Sequence, residues 1–274
     1  MPLFFFLAGF FIKYELNTKE FIMADFKRLM IPYLFFAVIA LLVESIKRIL
    51  LSREGLNYIH EFEGILVWMD YPSLMNTYGF VLWFLPSLFF GRLIIFIIHK
   101  NIKPILIQST AVIILFYISF YVDIVLGIDN AFNAVIYIFI GSITYKYYMN
   151  YRHLYISIII LIILISTYGV PNLDIANKSY QNIFLNILFA LSMIFMILTF
   201  KEKLNFTSSL LNLWGCNTMI LFVVHPYTNN VAHLVVEYIN IGDWVLKLFI
   251  TLALLQGLLL IKKKYNNKGV FKYV

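Results

Sequence analysis

The chain has 274 residues, 62% of them apolar and 13% charged; globular domains run nearer half apolar and a quarter charged, so no water-soluble core of this length could hide that surface. Lipid is therefore the solvent, and the net charge of +7 reads as the basic flanks of membrane spans rather than as a nucleic-acid footprint. The single Cys216 excludes an intrachain disulfide, and as one thiol in a predicted span it reads as a small packing residue.

Residues 1 to 12, MPLFFFLAGFFI, are apolar but about eight residues short of the roughly 20 that cross a bilayer. Lys13, Lys19, Lys27 and Arg28 follow, the reverse of the charge order in a signal peptide. Positive-inside logic then puts Met1 at the outer face, which needs an upstream helix or a short reverse-oriented anchor. The expectation is the former, a single transmembrane domain over residues 1–274 that is incomplete at its N-terminus.

Full or near-full spans are predicted at about 29–46, 80–98, 104–122, 131–148, 154–170, 181–200, 211–236 and 244–261. With each as one crossing, 15 of the 21 Lys and Arg fall in cytoplasmic segments and four, Lys47, Arg48, Arg53 and Lys178, fall outside. The fold class is thus an all-α polytopic membrane helix bundle, about eight full spans plus a short N-terminal apolar helix, with its C-terminus in the cytoplasm. The longest outer segment, 47–79, has Ile59, Phe62, Leu66 and Met69 at helical spacing, the pattern of a helix lying in the interface. Ile158 to Ile165 is aliphatic throughout and should face lipid.

Four stretches in order carry a resemblance: MPLFFFLAGFF before the basic stretch, RLMIPYLFF at 28–36, LWFLPSLFF at 82–90 and LWGCNTMILFVVHPY at 213–227. Together they resemble the membrane-bound acyltransferase 3 family, whose members O-acylate sugars of surface polysaccharides, peptidoglycan and related glycoconjugates, commonly from acetyl-CoA. The resemblance implies a donor acyl-CoA, an envelope glycan or lipid-linked sugar as acceptor, membrane lipids as surroundings, no bound cofactor and no metal. It also implies a first helix carrying an Arg and an essential His, neither visible ahead of Met1, and Ser where this chain has Ala8.

The site residues expected on these motifs are Arg28, Lys27, Gly9, Tyr33 and Trp83 for donor or substrate binding, with His225 as the catalytic candidate. Arg28 stands four residues before Pro32, at the mouth of a span, and its planar fork suits the phosphates of coenzyme A; the plain alternative is a topology anchor. Lys13 and Lys19 are auxiliaries. His225, followed by Pro226, is an ionisable group inside a span, functional by default, although packing against a neighbouring helix also accounts for it. Trp83 and Phe84 read as interfacial belt residues or as a cavity wall, and Arg92 as a side chain that snorkels or pairs across helices, with snorkelling favoured. His60, His99, His153 and His233 have no metal-ligand spacing. The rival class is a transporter or flippase for a lipid-linked glycan, which would need polar residues along several spans; here they are sparse.

Overall fold

The structure, a computed structural model, describes residues 1–148, 155–204, 208–239 and 244–264. His153 and the basic residues Arg152, Lys268 and Lys272 lie outside the described residues. The chain is a helix bundle: α1 (Pro2–Phe10), α2 (Thr18–Asp25), α3 (Ile31–Leu50), α4 (Tyr58–Glu63), α5 (Tyr71–Leu74), α6 (Phe84–Asn101), α7 (Ile105–Ile118), α8 (Ile128–Tyr148) and α9 (Tyr155–Tyr168) come first. A two-stranded hairpin follows, β1 (Leu173–Asp174) antiparallel to β2 (Ser179–Tyr180). Then come α10 (Ile183–Leu204), α11 (Ser209–Cys216), α12 (Thr218–Ile239) and α13 (Trp244–Lys264).

The class is as expected, with an apolar helix at each of the eight predicted spans. Among the described residues five helical stretches are long and apolar enough to cross a membrane: Thr18–Leu50, Tyr78–Asn101, Val125–Thr144, Thr218–Ile239 and Trp244–Lys264. Three further apolar helical stretches of the described residues, Ile105–Ile118, Ile158–Tyr168 and Ile183–Leu198, stand at the other predicted spans. Hydropathy marks an apolar run and not the point where its helix stops. The predicted span 211–236 breaks at Asn217, whose backbone leaves the helical region and whose side chain donates to the Leu213 carbonyl at 2.7 Å, closing α11 before α12 begins. Cys216 thereby falls outside the span and is exposed, not packed.

Conversely, α2 and α3 form one rod of 33 residues. Pro32 has no N–H to offer the preceding turn, and the backbone absorbs this as a π-helical turn over Phe26–Met30, with the Ile31 N–H donating to the Phe26 carbonyl. That turn carries Lys27 and Arg28.

The core is built where backbones touch. On α1 and α8 two glycines oppose each other's helix reciprocally: a Cβ at Gly9 would strike the Ile138 carbonyl, and a Cβ at Gly141 would strike the Phe6 carbonyl. Small residues at such a crossing gain van der Waals contact that lipid cannot supply. Helix α6 packs on the same α8, with Gly91 facing the Ile138 side chain. The Ile158 to Ile165 run faces outward as expected, with Ile159, Ile162 and Ile163 exposed while Leu161 and Leu164 are buried.

At the end of the bundle away from Lys27 and Arg28, the predicted interfacial helix is divided. Ile59, Phe62 and Leu66 are exposed, but Met69 is buried at a left-handed turn (φ 56°), and the face toward the protein carries Glu61 and Ile65. The β-hairpin is held there by Lys178, whose Nζ lies 2.6 Å from Asp129 and 3.1 Å from Asp123, and by the Tyr180 hydroxyl, which donates to Asn133 at 2.7 Å. Burial pushes the Tyr180 hydroxyl pKa up, and neighbouring Tyr137 adds to the effect.

Candidate active site

Helices α1, α6 and α12 and the π turn before α3 enclose a cavity of about 750 Å³. Its two ends differ in chemistry. One end holds Asp25, Lys27, Arg28 and Arg92, with Gly215 and Cys216 from the break between α11 and α12. The other is formed by Phe4, Phe84 and Phe222. From Arg92 back to Phe84 is eight residues of helix, about 12 Å at 1.5 Å per residue.

Arg92 does not snorkel. It is 6% exposed, and its Nε donates to Asp25 at 2.7 Å while its Nη1 donates to the Ala8 carbonyl. Burial explains the correction: a guanidinium inside the bundle must be paired and hydrogen-bonded, and Asp25, itself 5% exposed, is the partner. The pair ties α2 to α6 within the cavity lining, and the Phe21 ring lies 5.7 Å from the guanidinium. With Arg92 neutralised by Asp25, the free positive charge of this end belongs to Lys27 and Arg28. Both are exposed, and neither has an ion pair or hydrogen bond with another described residue.

Of the expected site residues, the structure brings Lys27 and Arg28 together in the cavity and leaves the other four outside its lining. Gly9 sits in the α1 to α8 crossing described above. Tyr33 is fully buried and donates its hydroxyl to the Ile65 carbonyl at 2.7 Å, joining α3 to the far-end segment. Trp83 is not a belt residue at an interface. It is 2% exposed and packs on Phe5 with ring centroids 6.4 Å apart, one layer behind the cavity wall.

His225 lies one turn beyond Phe222 on α12, with ring centroids 5.9 Å apart. Its Nδ1 is 2.6 Å from the Phe222 carbonyl oxygen. A carbonyl only accepts, so Nδ1 carries a hydrogen, and in the neutral ring Nε2 is left with a free lone pair. Pro226 follows, and the Thr228 hydroxyl donates to the His225 carbonyl at 3.1 Å.

Sequence reasoning missed Asp25, Phe4 and Phe222. Asp25 left no trace of its own, being one of three acids, with Glu15 and Glu20, among the four basic residues of 13–28. The phenylalanines left none, because 27 of them are spread along the chain and nothing local separates wall from lipid face. Against known families, a model described as an acyltransferase domain matches residues 1–260. No curated protein and no solved structure gives a match.

Proposed function

The chain belongs to the acyltransferase 3 family, and on that footing we propose that it moves an acyl group, acetyl in the first instance, from acyl-CoA to a hydroxyl of an envelope glycan or lipid-linked sugar. The observation that carries this reading is the two-ended cavity: two unpaired cations at one mouth and an apolar interior behind them. Lys27 and Arg28 take the phosphates of coenzyme A, Arg28 by its planar fork and Lys27 as a point charge. The pantetheine arm then runs inward along Leu88 and Met219, which places the thioester deep between α6 and α12. The protein sits in the cell membrane with its C-terminus in the cytoplasm. The basic mouth is cytoplasmic in that orientation, where acyl-CoA is found.

In the transfer step the acceptor oxygen attacks the thioester carbonyl carbon. A C–O bond forms, the C–S bond breaks, and a base removes the hydroxyl proton, which ends on the departing CoA sulfur. His225, with Nε2 free, is the base offered by this chain.

The test uses the full chain in lipid nanodiscs, with radiolabelled acetyl-CoA and envelope glycan. Arg28→Ala together with Lys27→Ala should weaken acetyl-CoA binding by roughly tenfold or more per lost charge-assisted bond; unchanged binding would sink the donor site. Loss of transfer by about 10²-fold or more in His225→Gln, with donor binding kept, would assign the base to His225. Transfer at the parent rate would remove His225 as the base.

A further inference from the structure

The aromatic end of the cavity has no part in binding phosphates, yet three helices are spent on it. Phe4 comes from α1, Phe84 from α6 and Phe222 from α12, and the rings close on one another: 6.0 Å between Phe4 and Phe84 at 73°, and 5.2 Å between Phe84 and Phe222 at 54°. Behind Phe84 stands Phe5 at 4.8 Å, backed in turn by Trp83. Phe84 is 6% exposed, whereas Phe4 is 40% exposed and Phe222 is half-buried. Two of the three rings therefore present a face to open volume, and the third is fixed from behind.

Resting on the donor reading above, we propose that Phe4, Phe84 and Phe222 form the end wall of the acyl chamber and set acyl chain length, admitting acetyl and other short groups and refusing long ones. A CoA thioester whose phosphates sit on Lys27 and Arg28 points its acyl end away from them, toward these rings. Aromatic side chains packed edge-on and tilted against one another, and backed by a second aromatic layer, cannot fold aside as a methionine does. Extra methylenes therefore have to displace packed rings, and overpacking of that kind is unfavourable.

The experiment is displacement of radiolabelled acetyl-CoA from the full chain in nanodiscs by unlabelled acetyl-, butyryl- and octanoyl-CoA, with empty nanodiscs subtracted. It needs no acceptor. In the parent chain octanoyl-CoA should compete at least about tenfold more weakly than acetyl-CoA, the discrimination a closed apolar pocket achieves. Phe222→Ala and Phe4→Ala should each narrow that gap about tenfold, while Phe184→Ala, on an exposed ring of α10 (71% exposed), should leave it alone. Phe84→Ala should narrow it most; because Phe84 is buried, its melting temperature is recorded alongside, and the two less buried positions carry the test if it fails to fold. If no CoA thioester binds, the donor reading itself falls. If acetyl-CoA binds but the octanoyl to acetyl ratio stays within about twofold in both Phe222→Ala and Phe4→Ala, or shifts equally in Phe184→Ala, the end wall is refuted, the rings face lipid, and the donor reading stands.

Discussion

Two parts of this bundle are held together by different means. In the stretch Tyr78–Asn101, 72% of the most apolar window is buried inside the protein, against 28% for Thr218–Ile239 and 11% for Trp244–Lys264. The buried part, α1, α6 and α8, is locked by backbone contact at glycines. The α12 and α13 pair leans on it mainly through α12 and the short turn Tyr78–Trp83, and α12 forms one wall of the cavity. The contrast divides the cavity: buried α6 brings Arg92 and Phe84, and the less buried α12 brings Phe222, with His225 one turn beyond it.

The glycines give the strongest way to break that contrast. Gly9→Ala and Gly141→Ala each push a Cβ into a facing carbonyl, so the helices must separate along their whole crossing. A loss beyond about 3 kcal/mol is expected, in the class of severe overpacking, read as aggregation or loss of the melting transition in detergent. Gly215→Ala and Gly257→Ala meet nothing within 4 Å and should be neutral, or stabilising by up to about 1 kcal/mol through helix propensity. Equal damage at all four positions would erase the distinction between the two parts.

Next in size is the buried pair. Asp25→Ala leaves the Arg92 guanidinium uncompensated, which costs about 3 to 5 kcal/mol, whereas replacing both partners by apolar residues of similar volume (Asp25→Leu with Arg92→Met) recovers most of it. Lys27→Ala, two residues away and unpartnered, should leave melting within about 0.5 kcal/mol. Thermal unfolding of the four proteins checks this, and a double variant as unstable as Asp25→Ala would mean that the charges do more than satisfy each other.

These outcomes bear on what a sequence discloses. Lys27 and Arg28 were legible because flanking charge is a local signal, and the all-α class followed from composition. The partner of Arg92 was not, since 67 residues separate it from Asp25 and snorkelling is the commoner fate of an Arg near a span end. Gly9 stood out as a motif residue, but its role is set by Ile138 and Gly141, on another helix. The start of the predicted span 211–236 was misplaced at Asn217, because hydropathy averages over a helix break that a side-chain hydrogen bond closes.

A smaller effect sits at the far end. Burial alone would lower the Lys178 pKa, but hydrogen bonds and charge from Asp129 and Asp123 outweigh it and hold the ammonium above 10.5. Its contribution is therefore complete below pH 10.5 and fades as pH rises past the folded value. Asp123 is 87% exposed, so Asp129 supplies most of the attraction, and Lys178→Met should cost about 1 kcal/mol. Hydrogen exchange of residues 173–180 at neutral pH should accelerate in the variant, and an unaltered hairpin would leave Tyr180 as its anchor.

The smallest predicted effect tests the joint between the two parts. Tyr78 stacks on Tyr227 with centroids 4.6 Å apart and planes at 23°, and its hydroxyl accepts from the Asn230 amide at 2.6 Å. Tyr78→Phe keeps the stack and removes the acceptor, so the Asn230 amide loses a partner in a setting where water is scarce. Hydrogen bonds between membrane helices average only about 0.6 kcal/mol, with about 1.7 at most, so the melting temperature should barely move. Local opening is more sensitive than global unfolding, and a loss of that size raises the open population of α12 roughly threefold. Hydrogen exchange should therefore rise across residues 218–239 and stay constant in α1 and α8, with Tyr78→Ala, which also removes the stack, giving a larger rise confined to the same helix. An increase spread evenly over both parts would show that they open as one cooperative unit, and α12 could then not move as a wall of the cavity while the cations stay fixed.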